Sequence, residues 1–279
     1  MYLTHFGLAE YPFGLTPDTS FVVPTTAHQS ALNTLLVAID SGEGFVKITG
    51  EVGSGKSLLC RRFLQLQSAK GAATAFIANP QLEPRTLMLA IGEELGLELS
   101  AHDFQFHLVN GMNAALLRFA ERRQQVIVCI DEAQAIPIAT LEYLRLLSNL
   151  ETEKTKLMHV VLFGQPELDA NLAHPSVRQL RQRIAFSYQL PGLSRHEVAN
   201  YLVHRLRVAG YRGERDAFSP TAVRRLHKAS RGTPRVLNIL AHKSLLAAFG
   251  AGSNVVDGSH AVAAARDTRP LATHIGWWS

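Results

Sequence analysis

Eight consecutive residues, Gly50-Glu51-Val52-Gly53-Ser54-Gly55-Lys56-Ser57, set two glycines around four residues and follow them with Lys and Ser. That spacing suits a phosphate chain. The glycines let the backbone curl until successive N–H groups point inward at the positive end of the next helix. Lys56 then reaches the β- and γ-phosphates of a nucleotide and the Ser57 hydroxyl ligates magnesium. Glu51, Val52, Ser54 and Leu58 complete the backbone expected to hold ATP. A glycine-rich turn that merely opens a helix is the competing reading.

A second group of candidates ends the apolar run Val126-Ile127-Val128-Cys129-Ile130 with Asp131 and Glu132. An apolar strand needs no acid at its carboxyl end, yet in a parallel sheet that end is where ligands bind. Asp131 is placed to hold magnesium, directly or through water, and Glu132 to orient the water that attacks the γ-phosphate. Gln165 stands at the exit of another apolar run, 157–164, where it either senses that phosphate or simply makes a turn before Pro166. Arg178, Arg181 and Arg183 precede a further strand. One of them offered to a neighbouring subunit's nucleotide would stabilise charge developing in transfer. Spacing does not say which, and at least two read as solvated surface. Arg235 falls in the first turn of a helix, where a cation is unfavourable by about 0.3–1 kcal/mol. It calls for an anion, either a nucleotide phosphate or a local Asp or Glu.

These residues need a scaffold. The β-branched and aromatic run 44–49 predicts a strand entering the glycine loop, and Leu58, Leu59, Phe63, Leu64 and Leu66 predict a helix leaving it. Further strands are expected at 73–78, 126–130, 157–164 and 185–190, with helices at 28–39, 87–95, 104–119 and 137–149. Alternation of this kind predicts an α/β fold with a parallel sheet covered on both faces. After Pro191-Gly192 every pattern is helical. Ser194 and Glu197 make a capping box, Ser219-Pro220 and Thr233-Pro234 mark two more helix starts, and a weaker helix spans 259–266. The expected division is a core over 1–191, a helical lid over 192–268 and a tail over 269–279. Tyr11 and Phe13, in the aromatic and proline-rich opening with Thr16-Pro17-Asp18, either wall a purine slot or cap the core. Trp277 and Trp278 either dock or fray with the terminus.

Composition narrows the class. With 47% hydrophobic and 18% charged among 279 residues, the chain has material for a real core and no long disordered tract. Its opening lacks the basic start and apolar block of a secretion signal, and no apolar run approaches the roughly eighteen residues of a spanning helix. A cytoplasmic chain without a transmembrane segment is expected. The 2 cysteines sit where small buried hydrophobes belong, and the 12 histidines show no metal spacing. Net charge is +5, and the excess gathers between Arg178 and Arg235, opposed there by Glu197, Glu214 and Asp216. This bias reads either as a nucleic-acid surface or as solvated helix faces with a few arginines aimed at nucleotide.

Taken together, Tyr11-Pro12-Phe13-Gly14-Leu15-Thr16-Pro17-Asp18, the glycine loop, Asp131-Glu132-Ala133-Gln134, Gly164-Gln165-Pro166-Glu167-Leu168, Leu180-Arg181-Gln182-Arg183-Ile184 and Gly232-Thr233-Pro234-Arg235 occur in that order. Together they resemble the AAA-plus ATPase domain of the general secretion pathway protein A (ExeA) family. The likeness spans nearly the whole chain. It implies a P-loop NTPase core with strand order 5-1-4-3-2 and a small all-helical lid. It implies Lys56 and Ser57 in Walker A, Asp131 and Glu132 in Walker B, Gln165 as sensor 1 and Arg235 as sensor 2. Arg178, Arg181 or Arg183 would be the trans-acting finger, which implies a homo-oligomer, a ring or at least a dimer. ATP and Mg2+ are the implied cofactors, and the implied partner is a pilus or secretion assembly protein at the inner membrane, with the chain peripheral there. Relatives in this family often continue into a membrane span and a peptidoglycan-binding domain, and this sequence stops after the lid, which favours the pilus-biogenesis branch. The core also resembles DNA-binding transposition ATPases of the TniB type, so nucleic acid is the alternative partner.

Overall fold

The structure, a computed structural model, describes residues 2–14, 21, 23, 25–99, 104–147 and 156–273, the last five by backbone alone. In chain order the elements are α1 (Tyr2–His5), α2 (Thr26–Asp40), β1 (Phe45–Gly50), α3 (Lys56–Ala69), β2 (Ala73–Ile77), α4 (Pro84–Glu94), α5 (Gln105–Glu121), β3 (Val126–Ile130), α6 (Ile138–Leu147), β4 (His159–Gly164), α7 (Glu167–Leu172), α8 (Arg178–Arg183), β5 (Ile184–Leu190), α9 (Arg195–Val208), α10 (Pro220–Ser230), α11 (Pro234–Gly250) and α12 (Gly258–Thr273). They pack as two compact units. Ala27–Glu51 with Gly55–Leu190 make one, and Met1–Thr26, Val52–Ser54 and Pro191–Ser279 make the other. Among the described residues no helix is long and apolar enough to cross a membrane.

The first unit is built on one five-stranded sheet of order β2-β3-β4-β1-β5, which is the order 5-1-4-3-2 expected from the resemblance. All its pairings are parallel. Side chains alternate between faces along a strand, and the apolar runs fill both. Val126, Val128 and Ile130 of β3 with Val160 and Leu162 of β4 join Leu87, Met88 and Ile91 of α4, Leu108 and Met112 of α5 and Leu141 and Leu144 of α6. The intervening Ile127, Cys129, Val161 and Phe163 join Leu32, Leu35 and Ile39 of α2 and Leu59, Cys60 and Phe63 of α3. Runs without polar alternation are what a sheet covered on both sides requires. Both cysteines are free and buried in the second of these layers.

The second unit is helical. Leu202 and Leu206 of α9, Ala222 and Leu226 of α10, and Leu237, Leu240 and Leu245 of α11 form its core. The capping box at the head of α9 is present, with the Ser194 side chain accepting from the Glu197 N–H and the Glu197 carboxylate accepting from the Ser194 N–H. Ser219 caps α10 through the Ala222 N–H, with Pro220 in the first turn. Segments leading into α10 and α12 run side by side through a parallel bridge between Phe218 and Val256.

Two boundaries differ from expectation. The described residues up to Thr26 pack with the helical unit instead of joining a core over 1–191. Tyr2, Phe6, Phe13 and Phe21 insert among the helices of this unit. Arg205 holds them there. It donates from Nε to the Pro12 carbonyl at 2.5 Å, and its guanidinium lies 4.6 Å from the centre of the Phe21 ring. Asn238 donates to the Gly14 carbonyl at 3.3 Å. At the other end α12 runs to Thr273, well past the expected 266, so residues 269–273 of the expected tail are helical backbone. Thr16-Pro17-Asp18, Trp277 and Trp278 lie outside the described residues.

Candidate nucleotide site

The sheet unit brings four candidates to one edge. Gly50 ends β1, Gln165 follows β4, and the Asp131-Glu132 pair follows β3. Parallel registers tie these ends together, with Thr49 beside Gly164 and Ile130 beside Leu162. The carboxyl ends of three adjacent strands are therefore level, as a ligand site in an open α/β sheet requires.

Gly55 is the N-cap of α3 and lies at φ 96°, in the left-handed region that L side chains rarely adopt. Directly after it, Lys56 is 5% exposed. Its ammonium donates to the Gly50 carbonyl at 2.7 Å and the Glu51 carbonyl at 3.0 Å, so the lysine closes the loop on itself. Burial pushes the Lys56 pKa below the ordinary lysine value, while Glu132, Asp131, Glu51 and Glu167 pull it back upward. Ser57, in the first turn of α3, is exposed, and Leu58 is half-buried.

Asp131 is 5% exposed, and its N–H extends the sheet by donating to the Ile77 carbonyl at 2.9 Å. Its Oδ1 accepts from the Glu132 N–H at 3.0 Å. Glu132 itself sits at φ 51°, ψ 38°, an uncommon conformation for a residue with a side chain. That turn aims its carboxylate at two amides. Oε2 accepts from Gln134 Nε2 at 2.6 Å and from Gln165 Nε2 at 3.0 Å. Burial raises the Glu132 pKa, but the two amide donors and Lys56 outweigh it, and the net displacement is downward.

Gln134 was singled out in the sequence only as part of a motif, yet it organises this corner. Its Oε1 accepts from the Gln165 backbone N–H at 2.9 Å. A backbone N–H can only donate, so the oxygen must face Gln165 and the NH2 group must face Glu132. The Gln134 carbonyl accepts from Asn171 Nδ2 of α7 at 2.8 Å, which anchors the turn from its far side. An apolar-strand signal could not reveal this.

Whether nucleotide and magnesium fit can be judged from the donors present. A buried ammonium held by carbonyls, with no carboxylate among the described residues in ion-pair contact with it, has capacity for phosphate. Among the described residues no group of three or more His, Cys, Asp and Glu is gathered for a metal. Asp131 and Ser57 carry oxygens of the kind that would hold magnesium alongside substrate phosphates.

Residues 39–172 match an AAA domain. Over 273 residues the chain is 40% identical to General secretion pathway protein A of Aeromonas hydrophila, a match covering 95% of this chain and 48% of that protein. This chain thus spans about half the length of that relative. Among solved structures, ORC2 of Aeropyrum pernix in its ADP form superposes with a TM-score of 0.60 at 17% identity, covering 93% of this chain and 73% of that one. RuvB of Thermotoga maritima, a Holliday junction branch migration motor, does so with a TM-score of 0.55 at 17% identity, covering 90% and 72%. The fold is the AAA-type P-loop fold. The likeness to the Aeromonas protein supports the general secretion pathway protein A family, and the two structural likenesses speak to fold alone.

The remaining candidates can be placed within the AAA-type chain. Arg178, Arg181 and Arg183 lie on α8 and all are exposed. Arg183 donates to the Arg145 carbonyl at 3.4 Å. In the helical unit, Arg235 is exposed in the first turn of α11, and that turn contains no acidic residue. The Arg235 N–H faces the Gly53 carbonyl at 3.4 Å, and a Cβ added to Gly53 would stand 2.3 Å from Arg235 Cβ. This close approach and a φ of 78° both call for glycine at 53. Of the two roles open to Phe13, the structure shows core packing: it is 3% exposed, with its ring 5.9 Å from Phe218. Tyr11 is 57% exposed, its ring edge-on to Tyr2 and His242.

Proposed function

We propose that this chain binds ATP with magnesium and hydrolyses it, and that the cycle drives assembly of a type II secretion apparatus or a type IV-like pilus at the inner membrane. One observation carries the chemistry: the Glu132 carboxylate is kept ionised and aimed by Gln134 and Gln165, in the field of the Lys56 ammonium. An ionised carboxylate so fixed accepts a hydrogen bond from water and aligns it for attack. The loop from Gly50 to Leu58 holds the phosphate chain through its N–H groups, and Lys56 supplies a positive charge to its β and γ oxygens. Ser57 and Asp131 would hold magnesium, whose charge would offset that of the phosphates. Gln165, bonded to the same carboxylate, registers the γ-phosphate, and Arg235 beside Gly53 supplies a further cation. One of Arg178, Arg181 and Arg183 serves the nucleotide of a neighbouring copy, so the active form is a homo-oligomer. Tyr11 is the remaining candidate for the base slot.

The name of the Aeromonas relative supports the secretion setting. Within that setting we infer the pilus branch, from a resemblance in the opening segment to MshM, the ATPase of mannose-sensitive haemagglutinin (MSHA) pilus biogenesis. Glu132→Gln tests the chemistry. ATP affinity should persist while turnover falls roughly 10²–10⁴-fold, the range of a lost general base. Undiminished hydrolysis would remove Glu132 from the role. The same variant, held with ATP, should retain pilus or secretion components on purification.

A second reading rests on α10, where Arg224, Arg225 and Lys228 are all exposed, with Arg231 just beyond. If nucleic acid is the partner, binding should weaken steeply with salt as counterions are released. No binding at low salt by the ATP-loaded protein would dismiss it.

A further inference from the structure

Gln134 lies in the tight turn Ala133–Ala135, where the Ala135 N–H donates to the Glu132 carbonyl at 2.8 Å and the Ile136 N–H to the Ala133 carbonyl at 3.2 Å. The next step of that pattern would bring the N–H of residue 137 to the Gln134 carbonyl, and residue 137 is proline. Proline has no N–H to give. Asn171 of α7, half-buried, takes its place by donating from Nδ2 at 2.8 Å. A carbonyl can only accept, so the NH2 group of Asn171 must face the turn.

The helix that carries Asn171 is itself held in place. Leu168 and Leu172 are buried in the core layer with Val160 and Leu162, and Asp169 pairs with Lys47 of β1. A Cβ added at Gly164 would stand 2.8 Å from Leu168 Cδ2 and 3.4 Å from Gln134 Oε1, so glycine at the end of β4 leaves both side chains their room. All of these residues lie in the sheet unit. Gln134 is thus gripped by its main chain from α7 while its side chain grips Glu132 and the Gln165 N–H. Hydrogen bonds weaken steeply as their angle closes toward about 120°, and a misplacement of about 1 Å arising away from the chemistry can cost roughly 10²-fold in rate.

We propose that Asn171 is a positioning residue for ATP hydrolysis: by holding the Gln134 carbonyl it fixes the amide that aims Glu132 and seats Gln165. This deepens the ATPase reading above and rests on it. Asn171 touches neither nucleotide nor attacking water, and its whole effect passes through Gln134. A carbonyl satisfied for stability alone would respond differently to substitution.

Steady-state ATP hydrolysis and ADP titration of the purified chain test this. Asn171→Ala should lower kcat about fivefold, the factor carried by one hydrogen bond, and leave KM for ATP and the ADP affinity where they are. Asn171→Asp, equal in size but with an acceptor facing the carbonyl, should lose at least as much, and Asn171→Gln, which keeps an amide donor, should recover part. Gln134→Ala protein supplies the deciding background. There the turn carries no amide to aim, so adding Asn171→Ala should lower kcat no further. Unchanged kcat in Asn171→Ala would overturn the proposal. So would equal falls in the two backgrounds, or a loss of ADP affinity alongside kcat, since Asn171 would then act on the fold at large. A variant that is merely poorly folded loses turnover in both backgrounds and counts against the proposal in the same way. Wild type and Glu132→Gln are assayed alongside. If wild type hydrolyses no ATP, or Glu132→Gln matches it, the ATPase reading itself fails; if Glu132→Gln is inactive and Asn171→Ala matches wild type, only the role of Asn171 fails.

Discussion

At the scale of single residues, the proposed chemistry turns on the corner made by Glu132, Gln134 and Gln165. Removing the Gln134 amide deletes a donor to the ionised Glu132 while leaving its burial in place. A carboxylate whose pKa is held below its ordinary value stays charged until the pH falls through that lowered value. The acid limb of kcat/KM should accordingly lie below the ordinary carboxylate range in wild type. In Gln134→Ala it should move to higher pH, because the charged form has lost support. Activity at neutral pH should also drop by about tenfold, in line with one hydrogen bond of about 1–1.5 kcal/mol. A pH profile that does not move would mean Gln134 does not bear on the carboxylate. On the proposed reading, Lys56 sets the opposite limb. Burial lowers its pKa, so its charge is lost at a lower pH than for an ordinary lysine, and nucleotide binding to the free protein should fade on that alkaline side.

Elements are read best at Gly55, where β1, α2 and α3 meet. Gly55→Ala places a Cβ in a left-handed conformation, costing about 1–2 kcal/mol, and drives it to 2.5 Å from His28. The expected outcome is loss of ADP binding and a melting temperature lower by several degrees. Adding His28→Ala should restore part of the stability by opening space, but not the part owed to φ. Full restoration would show that crowding, not backbone strain, dominates. The strand and helix patterns flanking this junction were legible because apolar periodicity is local: 44–49 predicted β1, and the leucines after Ser57 predicted α3. The reach of α2 to the loop was not legible. No periodic signal connects residue 28 to residue 55, since contact between them depends on how two helices lie on one face of the sheet.

For the whole molecule, the two units carry separate cores, and stability should be separable between them. Phe63 and Leu237 are each fully buried, one in each unit. Phe63→Ala should cost about 3–5 kcal/mol and Leu237→Ala about 2–5 kcal/mol. Amide exchange should speed chiefly in the unit that carries the substitution. A uniform loss of protection across both would mean that they unfold as one. The sequence by itself determined the nucleotide loop, the acid pair, the strand and helix succession and the three helix starts after Ser194, because caps, periodicity and motif spacing act over a few covalent neighbours. Tertiary structure alone decided that the aromatic opening packs with α9–α11 instead of the sheet, that Gln134 clamps Gln165 across 31 residues, and that His28 stands against Gly55. Those outcomes turn on which surfaces fit one another once the chain has collapsed, and shape complementarity between distant segments leaves no mark in local order.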